Sequence, residues 1–100
     1  MKILVSVKKT KKEDEIFYLW RPQDSGYTSE LECAGQYEKL IPNHHDSENT
    51  IPIGQSELDS LDKRTVSNHY GLNATEILNN EKNRTILGVK IKGRDLIRFR

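Results

Sequence analysis

A chain of 100 residues with a 34% apolar share is sized for one domain, and its apolar content is low against an average of about 45 to 50%. A thin core, or burial against further copies in a homo-oligomer, is expected, and a formal net charge of +1 excludes both an acidic DNA mimic and a strongly basic nucleic-acid clamp. The single cysteine, Cys33, cannot form an internal disulfide and points to a reducing cytoplasm, and no apolar run reaches the length of a membrane span or a signal-peptide core.

Met1 to Lys8 alternates, with Ile3, Val5 and Val7 on one face against Lys2, Ser6 and Lys8, and Leu4 as the exception. That pattern predicts a half-buried strand. Lys9 to Asp14 is polar and reads as a mobile hairpin tip, after which Glu15 to Trp20 forms a second, antiparallel strand. Tyr18 and Trp20 share one face and Phe17 and Leu19 the other, so this strand belongs in the middle of a sheet.

The run from Trp20 to Tyr37 gathers the most unusual residues. The strand should leave its sheet at Pro22, which supplies no ladder N–H and fixes its own φ. Asp24-Ser25-Gly26 reads as a tight turn, with Gly26 taking a positive φ. Ser29 with Glu32 makes a capping box and Gly35 a stop, so a helix of little more than one turn is expected between them. A strand, a glycine turn and a helix N-terminus would bring together the rings of Trp20, Tyr27 and Tyr37, the hydroxyls of Ser25 and Thr28, the backbone at Gly26 and the guanidinium of Arg21. Such a group suits an anionic or nucleotide ligand.

The residues Phe17-Tyr18-Leu19-Trp20-Arg21-Pro22, Gly26-Tyr27-Thr28 and Ala34-Gly35-Gln36-Tyr37 resemble a pattern found in small uncharacterised proteins of tailed bacteriophages. The resemblance covers residues 17 to 37 only. It implies a phage origin, and with it host takeover or evasion of host defence in the bacterial cytoplasm, but no activity.

Beyond Tyr37, Leu40-Ile41-Pro42 is a short apolar anchor and Asn43 to Thr50 a polar loop. His44 and His45 beside Asp46 and Glu48 invite a metal reading. Adjacent side chains of an extended loop point apart, however, so a solvated loop with no metal is expected. Ile51-Pro52-Ile53 is extended. Ser56 and Asp59 predict a helix from Glu57 to about Lys63, with Leu58 and Leu61 on its buried stripe. Thr65 to Gly71 reads as loop or short strand. Asn73 with Glu76 is a second cap, and Leu72 and Ile77 occupy staple positions, so a helix from Ala74 to about Asn80 is predicted. Thr85 to Lys92 and Leu96 to Phe99 read as a terminal hairpin around Gly93-Arg94-Asp95, with Leu87, Val89 and Ile91 inward.

The predicted fold is α+β, a mostly antiparallel sheet of about four or five strands with two or three short helices, in one domain spanning residues 1 to 100. Lysines open the chain and arginines close it, while acids dominate from Glu30 to Asp62. Pairing of the two ends in one sheet would give a basic side and an acidic side. No nucleophile elbow, Walker loop, His-Glu-x-x-His or Cys-x-x-Cys is present, so no catalytic residue or cofactor is assigned. A binder of a small anionic nucleotide-type signal is the first expectation, an inhibitor contacting a host defence protein through the same aromatic and Arg patch the second. Small phosphodiesterase chemistry on Tyr or His stands behind both.

Overall fold

A computed structural model describes the whole chain, Met1 to Arg100. The opening strand, β1 (Ile3–Ser6), is covered on both faces, since Leu4, Val5, Ser6 and the following Val7 are all buried. Alternation in this stretch therefore does not mark a solvent face. β1 lies inside a four-stranded antiparallel sheet. It pairs with β2 (Tyr18–Trp20) through Val5 opposite Leu19, and β3 (Tyr27–Thr28) lies against β2 through Trp20 opposite Tyr27. On its other side β1 meets β4 (Thr50–Ile53), with Ile3 opposite Ile53. β2 is thus central, as its two apolar faces predict, and Pro52 sits on an edge strand where its missing N–H is tolerated.

The hairpin connection between β1 and β2 is tied down at Thr10, which is fully buried. Its Oγ1 donates to Ser6 O at 2.8 Å and accepts from Tyr18 N at 2.9 Å. After β4 the chain enters α1 (Gln55–Ser60), two residues earlier than the sequence suggests. The Glu57 carboxylate accepts from Gly54 N–H at 3.2 Å, and this cap replaces the one expected at Ser56. Leu58 and Leu61 are buried as their spacing predicts, but Lys63 belongs to β5 (Lys63–Ser67).

Two predicted elements are overturned. Residues expected to form a helix from Ala74 are the strand β6 (Asn73–Ile77), which pairs with β5 along five residues from Lys63 opposite Ile77 to Ser67 opposite Asn73. A helix of seven residues is marginal on its own. Here the ladder outcompetes the cap, and Glu32 adds to it by accepting from Thr75 N–H at 2.8 Å and from Thr75 Oγ1 at 2.7 Å. Likewise the start of the expected Thr85 to Lys92 strand is helical, α2 (Glu81–Leu87). Asn80, read as the end of a helix, is instead the cap that begins one. Its side chain accepts from Asn83 N–H at 2.8 Å, and Gly88 at φ 76 closes the far end.

The terminal hairpin forms as expected from β7 (Val89–Lys92) and β8 (Asp95–Arg98) around Gly93. Val89 and Leu87 are buried, whereas Ile91 is exposed. The hairpin is a two-stranded sheet of its own, so the α+β fold holds three antiparallel sheets. One apolar cluster joins them, drawing Phe17 and Leu19, Ile51 and Ile53, Leu58, Ile77, Leu87 and Leu96 from successive elements. The basic ends are met by acids: Lys11 pairs with Asp95 at 2.8 Å, Arg94 with Glu13 at 3.0 Å and Arg98 with Asp46 at 2.6 Å. No helix is long and apolar enough to cross a membrane.

Candidate functional site

Trp20 ends β2, and the chain leaves the sheet at Pro22 as the sequence predicts. The turn that follows is closed by Ser25 N–H on Pro22 O at 3.2 Å. Its two central residues, Gln23 at φ 57 and Asp24 at φ 56, are left-handed, and Gly26 adds φ 101. Positive φ thus begins before the glycine, at two residues that carry a Cβ and resist it. Tyr27 then returns beside Trp20 as β3, so no helix N-terminus faces this turn. The Ser29 capping box does not form: a 3-10 turn at Leu31–Cys33 starts from Glu30 without a side-chain cap, because Glu32 is committed to Thr75. Nor is Gly35 a helix stop. Its N–H donates to Trp20 O at 2.9 Å, and a Cβ there would lie 2.7 Å from Pro22 Cα.

The strained turn is pinned by Tyr37, whose hydroxyl donates to Arg21 O and accepts from Asp24 N–H at 3.0 Å. Burial pushes the Tyr37 phenol up, against the opposing bond from Asp24 N–H, and the Asp24 carboxylate adds a smaller upward push. So held, the Asp24 carboxylate meets both histidines of the polar loop. His45 Nε2 lies 2.8 Å from Oδ1 and His44 Nε2 3.3 Å from Oδ2. The bond from His45, followed by that from His44, holds the Asp24 carboxyl below its usual range against the opposing effect of burial. Ile41 N–H donates to His45 Nδ1 at 3.0 Å. The ring proton of His45 therefore sits on Nε2 and is donated to Asp24.

The two histidines do not point apart. Asn43 is left-handed at φ 63, and the N–H groups of His44 and His45 both reach Ile41 O, at 3.1 and 2.9 Å. This tight turn, in place of extended chain, brings the ring centroids within 4.7 Å. The His45 side chain is only 4% exposed, while that of His44 is 49% exposed. Both rings stand edge-on to Trp20, at 5.2 and 5.5 Å, and Tyr27 approaches its plane at 6.0 Å. The indole Nε1 of Trp20 is buried without an acceptor.

Around these rings the surface is hollowed into two lobes that share Trp20, Tyr27 and His44. One, of about 220 Å³, is completed by Ser6, Lys8, Asn43, Ser47, Asn49 and Thr50. The other, of about 200 Å³, is completed by Asp24 and Gly26. Lys9 adds a second cation, its Nζ 5.9 Å from the Tyr27 ring centre.

Of the residues chosen from sequence, Trp20, Gly26 and Tyr27 line these lobes. Arg21 is exposed beside them, its Nε donating to Tyr27 O at 3.2 Å. Ser25 donates to Pro22 O at 2.6 Å, within the turn. Thr28 is buried and accepts from Glu30 N–H at 3.1 Å, so it shapes the backbone. Tyr37 supports the turn from beneath and opens on a separate groove with Gln23, Gln36 and Lys39. Lys8, Asp24, Asn43, His44, Ser47 and Asn49 were not chosen. The signal for the loop residues was the His-His pair itself, once Asn43 is allowed its left-handed turn.

No family model, curated protein or solved structure matches the chain.

Proposed function

We propose that this protein binds a small anionic ligand of nucleotide type without turning it over, and that it serves a bacteriophage by sequestering such a signal from host defence. The observation that carries the binding reading is Trp20. Its ring stands between two lobes, and its Nε1 is a buried donor without an acceptor. Leaving such a group unpaired costs about 1 to 3 kcal/mol, which marks the indole as kept for more than packing. Lys8, Lys9 and Arg21 supply positive charge at the rim, and Tyr27 offers a face on which a base can stack, a contact worth about 1 to 3 kcal/mol. A cavity of about 290 Å³ between Lys2 and Leu58 brings one cation and no aromatic ring, and suits such a ligand less well.

The experiment is a thermal-shift screen with nucleotides and cyclic nucleotides. A ligand at a hundredfold its Kd adds about 2.7 kcal/mol, which for a chain of this size raises Tm by roughly 10 to 20 °C. Arg21→Ala and Tyr27→Ala should remove the shift while leaving the unliganded Tm nearly unchanged. A screen in which no nucleotide moves Tm would refute the ligand reading.

One observation favours a second reading. Each lobe is smaller than the roughly 300 Å³ at which small-molecule pockets usually begin. A shallow surface of Trp20, Tyr27 and Arg21 also suits a host defence protein, because these residue types dominate binding energy at protein interfaces. Capture of a host protein that is lost in Tyr27→Ala and unaffected by nucleotides would select that reading.

A further inference from the structure

We propose that Asp24, His44 and His45 form a binding site for a divalent metal ion of the zinc type. One donor atom from each lies within 4.8 Å of the other two, and the carboxylate already sits 2.8 and 3.3 Å from the two Nε2 atoms. A tetrahedral ion with ligands at about 2.1 Å places its donors about 3.4 Å apart. The His44 contact is already near that spacing, the His45 contact has to lengthen from 2.8 Å, and the two rings settle about the ion within the 4.8 Å that now contains all three donors. Two imidazoles and one carboxylate suit zinc and its neighbours among the divalent transition metals, whereas magnesium and calcium prefer all-oxygen sites.

The backbone supports the assignment independently. Gln23 and Asp24 hold left-handed conformations where an Asn-Gly pair would be relaxed, and Gln23 in particular has no side-chain chemistry that favours one. Strain of this kind collects at functional positions. Its effect here is to aim Asp24 at two side chains from a loop some twenty residues further along the chain.

A hydrogen-bonded clasp without an ion is the competing account, and it rests on His45. With Nδ1 accepting from Ile41 N–H, the proton is on Nε2, where the ion would bind. Binding moves that proton to Nδ1 through solvent, leaves the ring neutral and breaks the bond to Ile41. The Nδ1–H then faces the Ile41 N–H, two donors 3.0 Å apart at a side chain 4% exposed, so the ring turns as the ion enters, a cost small beside the free energy of a zinc ion on three protein ligands. The ion prevails. Three protein donors leave a fourth position open, and Asp24 and His44 both line the lobe completed by Gly26 and Tyr27.

The proposal does not rest on the ligand reading, and its test uses the metal alone. Chelator-treated protein is titrated with zinc chloride by calorimetry, with the imidazole tautomers followed by nitrogen-15 NMR. One ion per chain is expected, with His45 changing from the Nε2–H to the Nδ1–H tautomer. His44→Ala and Asp24→Asn should each weaken binding on the order of a hundredfold or more, and His69→Ala, in a distant hairpin turn, should not. These two variants keep the test decisive if His45→Ala fails to fold. A wild type that takes up no zinc, binding equal in the His44 and Asp24 variants, or binding that follows His69 would overturn the proposal.

Discussion

Replacing Gln23 by glycine and, separately, Asp24 by glycine divides the strain of the turn from the bonds that the turn positions. Both residues are left-handed, and a left-handed L-residue is strained by roughly 1 to 2 kcal/mol. Glycine relieves that strain but gains about 0.4 to 1 kcal/mol of unfolded-state freedom. The net gain for Gln23→Gly, at an exposed position, is about 0.5 to 1 kcal/mol, a rise in Tm of roughly 2 to 8 °C. Asp24→Gly receives no more relief and strips the acceptor from His45 Nε2, on a side chain 4% exposed. An unpaired buried donor costs about 1 to 3 kcal/mol, so this variant should melt below the wild type. Thermal unfolding of both, followed by circular dichroism, reads the difference directly. A Gln23→Gly variant that melts lower would refute the strain, and an Asp24→Gly variant that rises as far as Gln23→Gly would show that the clasp contributes nothing.

Stability should also depend on pH through Asp24. Its carboxyl is held below the usual range in the folded protein, so the unfolded chain binds the proton more readily and the contribution is fully present above the ordinary Asp value of about 3.9. As pH falls through the lower folded value the contribution is lost, and the wild type and Asp24→Asn should converge in urea midpoint in that acid range while differing near neutrality. Equal spacing at every pH would remove Asp24 from the account. Self-association is expected from the low apolar share and from Tyr70 and Leu72, which are 78% and 64% exposed beyond β5. Light scattering that finds only monomer at tens of micromolar would refute it.

What the sequence made legible follows from how local each signal is. β2 was readable because Phe17 and Leu19 alternate with Tyr18 and Trp20, and the terminal hairpin because Gly93 marks its turn. Asn80 was misread because asparagine serves both ends of a helix, and nothing within a few residues says which. β6 was misread because its cap signals are local while the ladder with β5 and the bonds from Glu32 to Thr75 are not. At the site the same rule divides the residues. Trp20, Gly26 and Tyr27 were found because they share one short stretch. Asp24 lies inside that stretch, yet its local sequence marks it only as a turn former, since its partners lie about twenty residues away.

The site then depends on how the loop from Asn43 to Thr50 is held at both ends. At one end Asp24 and Ile41 fix His45. At the other, Arg98 of β8 reaches Asp46 Oδ1 at 2.6 Å, Ser47 O at 2.8 Å and Thr50 O at 3.2 Å through one Nη1. A loop anchored twice loses little further freedom when it binds, which is the condition for a small site to bind well. His44 stands between the anchors and is the half-exposed member of the group. Its neighbour His45 is occupied at both ring nitrogens, so a ligand entering the cleft meets His44 first and reaches the fold through Asp24. A left-handed Gln-Asp turn is a costly way to build a hairpin, and it becomes intelligible when the carboxylate it presents is what couples that histidine to β2 and β3.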